Sequence, residues 1–315
     1  MARRLLVRLA VGVLTLWAAS AVVFLGVEAL PGDAAQAALG RQATPALVEG
    51  LRKDFGLDRP ATTRYSEWLV GVLHGDLGRS LPSGDPVARI IGDKIRNTAI
   101  LAALTIVLLV PLSLGIGVLS AVRRDRLLDH ASTSSTLALI ATPEFVVGTL
   151  LVVVFAGWVH WLPAVSLIDP SRSPLAQLDL FVLPVLTLLA ASAAQTIRMV
   201  RACMIDVLDS EYVQIARLKG VPERRVLLHH ALPNALGPTI QILAINVAWL
   251  VGGVVVVETV FQFPGLGSAL TGAVSARDLP TVQAIALLIT SVFIFGNLLA
   301  DVAVILLNPR LRRAL

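Results

Sequence analysis

An all-α, polytopic membrane bundle of six transmembrane helices is the fold class this sequence predicts, and three observations predict it. Of 315 residues, 56% are hydrophobic and 15% charged, and the mean hydropathy of +0.80 lies above that of a water-soluble domain. Stretches free of Asp, Glu, Lys and Arg recur at about the 20-residue length that crosses roughly 30 Å of hydrocarbon. Basic residues in the short connecting segments collect on alternate sides of those stretches.

Leu9–Val27, Thr98–Val122, Leu236–Val257 and Leu279–Ala300 contain no Asp, Glu, Lys or Arg, and Leu180–Ile197 is a slightly shorter fifth run. A sixth span is expected over Ala131–Val159, uncharged except for Glu144 near its middle. Basic residues followed by an apolar core could mark a signal peptide. The 19 uncharged residues of Leu9–Val27 exceed a usual signal core, however, and Ala29-Leu30-Pro31-Gly32 is a poor cleavage site, so a retained first helix is expected. The single cysteine, Cys203, excludes an internal disulfide framework and a cysteine-based metal cluster.

Lys and Arg resist translocation, and short loops report this bias best. Arg3, Arg4 and Arg8 precede the first run, and Arg123, Arg124 and Arg126 follow the second. Six basic residues lie between Arg198 and Arg225, and Arg310, Arg312 and Arg313 close the chain. The opposite short loops hold only Arg172 and Arg277, which places both termini in the cytoplasm. The long segment Pro31–Asn97 has nine basic and eight acidic residues, a balance that permits export. The net charge of +5 therefore reports topology, and no nucleic-acid partner is implied. The expected layout is a first transmembrane helix at 1–30, an extracytoplasmic cap at 31–95, a transmembrane domain at 96–307 with a cytoplasmic loop at 204–235, and a cytoplasmic tail at 308–315.

Within the cap, Thr44-Pro45 precedes an amphipathic helix marked by Leu47, Leu51 and Phe55, and Gly75, Gly78, Ser83-Gly84 and Pro86 signal turns. Tyr65 and Trp68 are expected to pack against the membrane domain, making the cap a stabilising lid or a docking face for an external partner. Pro111, Pro143 and Pro184 fall inside apolar runs and should kink helices. Gly115, Gly117, Gly252 and Gly253 should let helices approach closely.

The loop at 204–235 carries the most information. Ile205, Leu208, Tyr212 and Ile215 recur at three- and four-residue steps, an apolar stripe on one helix. Gly220 permits a left-handed stop, Pro222 suits the first turn of a second short helix, and Pro233 marks its end. A compact helix-turn-helix below the membrane is expected.

This segment resembles the signature of the permease subunits of bacterial ATP-binding-cassette importers: Glu-Ala-Ala, three residues, Gly, nine residues, Ile, one residue, Leu-Pro. Gly220 anchors the match, Leu232 and Pro233 follow it by 12 and 13 residues, and Ala216 matches the second alanine. Gln214 stands in place of the glutamate, Ile215 of the first alanine and His230 of the isoleucine. Further motifs are similar to the first permease of the dipeptide, oligopeptide and nickel branch. They are Leu30-Pro31-Gly32-Asp33, Phe55-Gly56-Leu57-Asp58, Gly75-Asp76-Leu77-Gly78-Arg79-Ser80, Glu258-Thr259-Val260-Phe261 with Pro264-Gly265-Leu266-Gly267, and Asn308-Pro309-Arg310.

The resemblance covers nearly the whole chain. It implies a multi-pass bacterial inner-membrane subunit that forms half of a pathway for peptides, nickel or peptide-like solutes. The implied partners are a second, non-identical permease, two cytoplasmic ATPases, an extracytoplasmic binding protein and membrane lipid. Gln214, Ile215, Ala216, Gly220, His230, Leu232 and Pro233 would couple it to the ATPase. The chain has no Gly-x-x-x-x-Gly-Lys-Ser/Thr phosphate loop, so ATP and magnesium would sit on the ATPases, with no catalytic group or cofactor on this chain.

Glu144, beside Pro143, reads either as a carboxylate satisfied by its neighbours or as a pathway group that meets a substrate amine or cation. Glu258 and Asp301 read as caps at the watery ends of their spans, and Asn246, Gln241 and Asn297 as interhelical hydrogen-bonding groups. The five histidines have no metal-site spacing, and His229 and His230 are expected on the cytoplasmic docking surface. The alternatives are an ion-coupled secondary transporter using a buried acid, which an internal two-fold repeat would favour, and a membrane scaffold without transport.

Overall fold

A computed structural model describes residues 2–29, 34–39 and 43–307, with some side chains inside the helices outside the described set. Leu30-Pro31-Gly32-Asp33, Asn308-Pro309-Arg310 and the tail at 308–315 lie outside the described residues, as do the side chains of Gln241, Asn246 and Asp301.

The described chain is helical almost throughout. The first helix, α1 (Ala2–Glu28), precedes three short ones: α2 (Ala34–Leu39), α3 (Pro45–Asp54) and α4 (Ala61–Leu73). The long α5 (Val87–Val122) follows, then α6 (Leu127–Ala141) and α7 (Glu144–Leu151), which widens into a π-helical stretch at Val152–Trp158. A single 3-10 turn at Pro174–Ala176 leads to α8 (Asp179–Leu208), α9 (Glu211–Leu218) and α10 (Glu223–Arg225). A π-helical turn at Val226–Ala231 opens into α11 (Leu232–Val260), and α12 (Leu266–Ser275) and α13 (Leu279–Leu307) complete the order.

Among the described residues, Leu9–Glu28, Val87–Val122, Asp179–Leu208 and Leu279–Leu298 are long and apolar enough to cross a membrane. The expected run Leu236–Val257 falls inside the 29-residue α11. The expected single span over Ala131–Val159 is instead two helices, α6 and α7, bent by 107°. Pro143 breaks the helix where a kink was expected, because a residue before proline is steered away from helical backbone. Thr142 accordingly sits at φ −97°, ψ 124°. Helix α5 also starts at Val87, inside the segment expected to form the cap. Its first turns carry charges that end an apolar count without ending a helix, and Arg96 pairs with Asp93 at 3.2 Å.

The chain divides into two compact units, residues 1–99 with 262–294 and residues 100–261 with 295–315. In the first, Val87 and Ile91 of α5 pack on Leu266 of α12 and on Ala284 and Ile285 of α13. Helix α3 has the expected start, with Thr44 at the N-cap and Pro45 in the first turn. Helix α4 docks on α1. The Tyr65 hydroxyl lies 2.7 Å from that of Ser20, the Phe24 and Tyr65 rings are 5.3 Å apart, and Arg64 pairs with Glu28. The Gly75–Ser80 motif is a chain of turns. Gly78, at φ +83°, donates its N–H to Asp76 and accepts from Val87, and Asp278 accepts the Leu81 N–H at 3.0 Å while receiving the Thr281 hydroxyl.

In the second unit α8 is the central helix, packed by α6, α7 and α11. A Cβ on Gly117 of α5 would stand 2.7 Å from Val200 of α8, so this glycine sets the approach of the two helices. Gly115 plays no such role, since a Cβ there would meet nothing within 4 Å. Glu258 is fully buried in α11 at 0% exposure. The expected cap at a watery helix end is therefore wrong: Phe261, three residues further on, is equally buried, and its carbonyl accepts the Ser166 N–H.

Candidate coupling segment and intramembrane carboxylate

Helix α8 stops at Leu208. The Ser210 hydroxyl turns back to the Val207 carbonyl at 2.5 Å, and extended backbone at Ser210 (φ −70°, ψ 148°) restarts the chain as α9. The expected continuous stripe Ile205–Leu208–Tyr212–Ile215 is therefore broken, because the restart changes the helical phase. In α9 the buried residues are Val213 and Ala216, while Tyr212, Ile215 and Leu218 are exposed, Leu218 at 87%.

The end of α9 is a Schellman motif, two bonds that close the last carbonyls of a helix around one left-handed residue. Gly220 adopts φ +75°. Its N–H donates to the Arg217 carbonyl at 2.9 Å, and the Val221 N–H reaches the Ala216 carbonyl at 3.2 Å. The left-handed stop expected at Gly220 is present. Arg217 then clamps α10 through two bonds to Glu223, 3.1 and 2.6 Å long. That contact raises the guanidinium above its ordinary pKa.

Pro222 sits just before α10, at the N-cap position rather than inside its first turn. Pro233 was expected to end the short helix. It lies instead near the start of α11. The π-helical turn at Val226–Ala231 carries the chain into α11 without a stop.

The segment is anchored by a core drawn from several helices. Ala121 of α5, Met204 and Leu208 of α8, Val213 and Ala216 of α9, Val226, and Ala231 with Ala235 at the foot of α11 form one buried cluster. Two ion pairs brace it. Arg201 of α8 grips Asp129 of α6 with bonds of 2.5 and 2.7 Å, and Asp129 also accepts the Asp125 N–H. Arg124 reaches Asp209 at the α8–α9 junction, 3.2 Å away.

The residues singled out from sequence thus divide by location. Gln214 and Ile215 face outward on α9, Ala216 is in the core, and Gly220 forms the exposed turn. His230 and Leu232 are half-buried and Pro233 exposed at the root of α11, where the His230 carbonyl accepts from Asn234. His229 is exposed. Sequence reasoning missed Tyr212 and Leu218 as outward residues and the Asp129–Arg201 and Arg217–Glu223 clamps. An isolated leucine between Arg217 and Lys219 was the one available signal.

Glu144 is the first residue of α7, at the break, and is half-buried. Its carboxylate lies over the backbone of α11 where Gly253 leaves room: a Cβ there would stand 2.8 Å from Oε2.

Residues 113–313 match the family described as the binding-protein-dependent transport system inner membrane component, and residues 1–115 match the N-terminal region of such membrane components. The chain belongs to this family. It is 38% identical over 298 residues to the glutathione transport system permease protein GsiC of Pectobacterium atrosepticum, covering 95% of each chain. The GsiC protein of Escherichia coli K12 is 37% identical over the same length and coverage. A probable peptide ABC transporter permease protein, y4tP of Sinorhizobium fredii, is 33% identical over 290 residues, covering 92% of this chain and 93% of its own. The protein is therefore a permease subunit of the peptide branch of ATP-binding-cassette importers, a non-catalytic, multi-pass component of the inner membrane whose ATP hydrolysis takes place on partner subunits. Family membership leaves the secondary-transporter and scaffold readings without support.

Proposed function

We propose that this chain forms half of a translocation pathway for peptides and peptide-like solutes, glutathione among them, crossing the membrane six times with both termini in the cytoplasm. It pairs with a second, non-identical permease, receives solute from an extracytoplasmic binding protein and is driven by two cytoplasmic ATPases that bind ATP and magnesium. Residues 31–95 form the extracytoplasmic cap, and segment 204–235 couples the chain to an ATPase through Gln214, Ile215, Ala216, Gly220, His230, Leu232 and Pro233.

The observation that carries this reading is the set of contacts that holds the segment to the helices behind it. A short element transmits a domain rotation only when it is tied to the helices behind it. Here the Schellman turn at Gly220, the Arg217–Glu223 clamp and the cluster from Ala121 to Ala235 tie α9 to the helices behind it. Its outward Tyr212, Ile215 and Leu218 supply the apolar contact a partner groove requires. Substrate class is supported by the relatives named for glutathione and for peptides. Glu144, at the helix break, is suited to meet the ammonium group such solutes carry.

The test is Gly220→Pro in the reconstituted transporter. Insertion and assembly should persist while ATP-driven uptake is lost, and normal uptake by the assembled variant would overturn the coupling role. Calorimetry on the cognate binding protein with glutathione, dipeptides, longer peptides and nickel complexes identifies the solute by its tightest ligand.

A further inference from the structure

The 107° bend between α6 and α7 leaves a groove of about 760 Å³ in the second unit, open on one side. Its floor is α8, where Ala190, Ala193 and Ala194 keep the surface low, and Leu112 to Leu119 of α5 and Ser135 and Leu139 of α6 form its walls. Along α8 the lining runs from Leu186 to Ile197, which at 1.5 Å per residue is about 16 Å. That is about half the thickness of a hydrocarbon core of roughly 30 Å, the depth of one leaflet.

The lining is hydrocarbon apart from three hydroxyls, Ser132, Ser135 and Thr136, and Thr136 already donates to the Thr133 carbonyl. A peptide laid here would leave its amides unpaired, each costing the desolvation penalty of a buried polar group. The transported solute is therefore excluded, and a hydrocarbon chain fits.

One end of the groove is cationic. Arg198 follows Ala194 by one turn of α8, Arg123 stands just past the end of α5 with its N–H on the Leu119 carbonyl, and Arg126 is the N-cap of α6, two residues before Leu128. All three guanidinium groups are on exposed residues and make no ion pair among the described residues. An apolar channel one leaflet deep, with three arginines that make no ion pair among the described residues next along the chain from its lining, matches the shape and charge of one lipid molecule.

We propose that this groove is a binding site for an anionic phospholipid, with one acyl chain on the alanine floor of α8 and the phosphate among Arg123, Arg126 and Arg198. A helix of the second permease could fill the apolar part but would leave the three cations unanswered.

Native mass spectrometry of the assembled transporter, titrated with phosphatidylglycerol and separately with phosphatidylcholine, tests this. Phosphatidylglycerol should occupy one site at lower concentration than phosphatidylcholine. Arg123→Gln and Arg198→Gln should each raise its half-occupancy concentration about fivefold, and the pair about 25-fold. Ala194→Phe should fill the floor and abolish binding. Because that variant could also disturb packing, a benzophenone side chain placed at Ser135 gives a second reading in the unfilled groove, and it should crosslink to phospholipid. Equal retention of both lipids, indifference to the two arginine substitutions, or crosslinking of position 135 to the second permease would each overturn the proposal.

Discussion

Substituting Gly220 in series separates the conformational demand of its turn from every other cause. The residue holds φ +75°, and a Cβ built on it would meet nothing within 4 Å. A side chain therefore costs backbone strain alone. An L-residue in the left-handed region costs about 1–2 kcal/mol, with asparagine the least penalised. Gly220→Ala should destabilise the turn by that amount, which is about a 5- to 30-fold change in an opening equilibrium. Gly220→Asn should cost less, and Gly220→Val more, because β-branching makes positive φ an outlier. Gly220→Pro cannot reach this φ and also removes the N–H that donates to Arg217, so the turn is lost. Hydrogen exchange at the Val221 amide reads the opening equilibrium, and ATP-driven uptake in proteoliposomes reads the coupling. Protection of that amide and uptake should both fall in the order Asn, Ala, Val, Pro. Valine indistinguishable from glycine in both assays, or asparagine as damaging as proline, would refute the claim that this turn transmits force.

Asp129→Asn removes the charge opposite Arg201 in a pair whose carboxylate side chain is 3% exposed. It should cost about 3 kcal/mol, the low end for breaking a buried pair because the guanidinium keeps some water contact, as measured by thermal unfolding of the purified complex. The double change Asp129→Leu with Arg201→Met should recover most of that loss. Leu218→Ser deletes the most exposed apolar side chain of α9 and should weaken ATPase affinity about tenfold or more if that leucine is buried in the complex. Quantitative copurification checks it, with unchanged stoichiometry as the contrary result. Glu144→Gln should slow uptake of peptides with a free amino terminus and leave N-acetylated ones unaffected, a difference read directly from competition for transport.

The parts legible in the sequence are those set by local chemistry. The charge-free runs forecast most of the long helices, and Gly220 forecast a left-handed stop that two backbone bonds then close. Thr44-Pro45 forecast the start of α3. Other features depend on competition between local signals or on distant partners. A proline within an apolar run is compatible with either a kink or a break, and at Pro143 the break prevails. The apolar period across Ile205 to Ile215 is unbroken in sequence, yet the Ser210 turn shifts the phase and reverses which side of α9 is buried. Asp129 and Arg201 are 72 positions apart, and no local pattern joins them.

Under the proposed coupling, α11 is the element that unites the two ends of the problem. Its foot, Ala231 and Ala235, lies in the cluster that grips α9, and Gly253 on the same helix sits beneath the Glu144 carboxylate. Eighteen residues of helix separate Ala235 from Gly253, about 27 Å at 1.5 Å per residue. The close approach at Gly253 matters for what arrives at the far end. With no Cβ to hold the helices apart, a displacement of α11 moves the backbone against which Glu144 rests, and a larger residue there would push the carboxylate away. The break at Pro143 turns α7 away from α6, so that α7 meets α11 as well as α8, while α6 is tied to α8 through Asp129 and Arg201. A straight span over Ala131–Val159 would have bound Glu144 to that anchored helix. Under the proposed coupling, the break that replaces the single span expected from sequence sets an intramembrane carboxylate against the helix whose foot, about 27 Å away, lies in the cluster that grips α9.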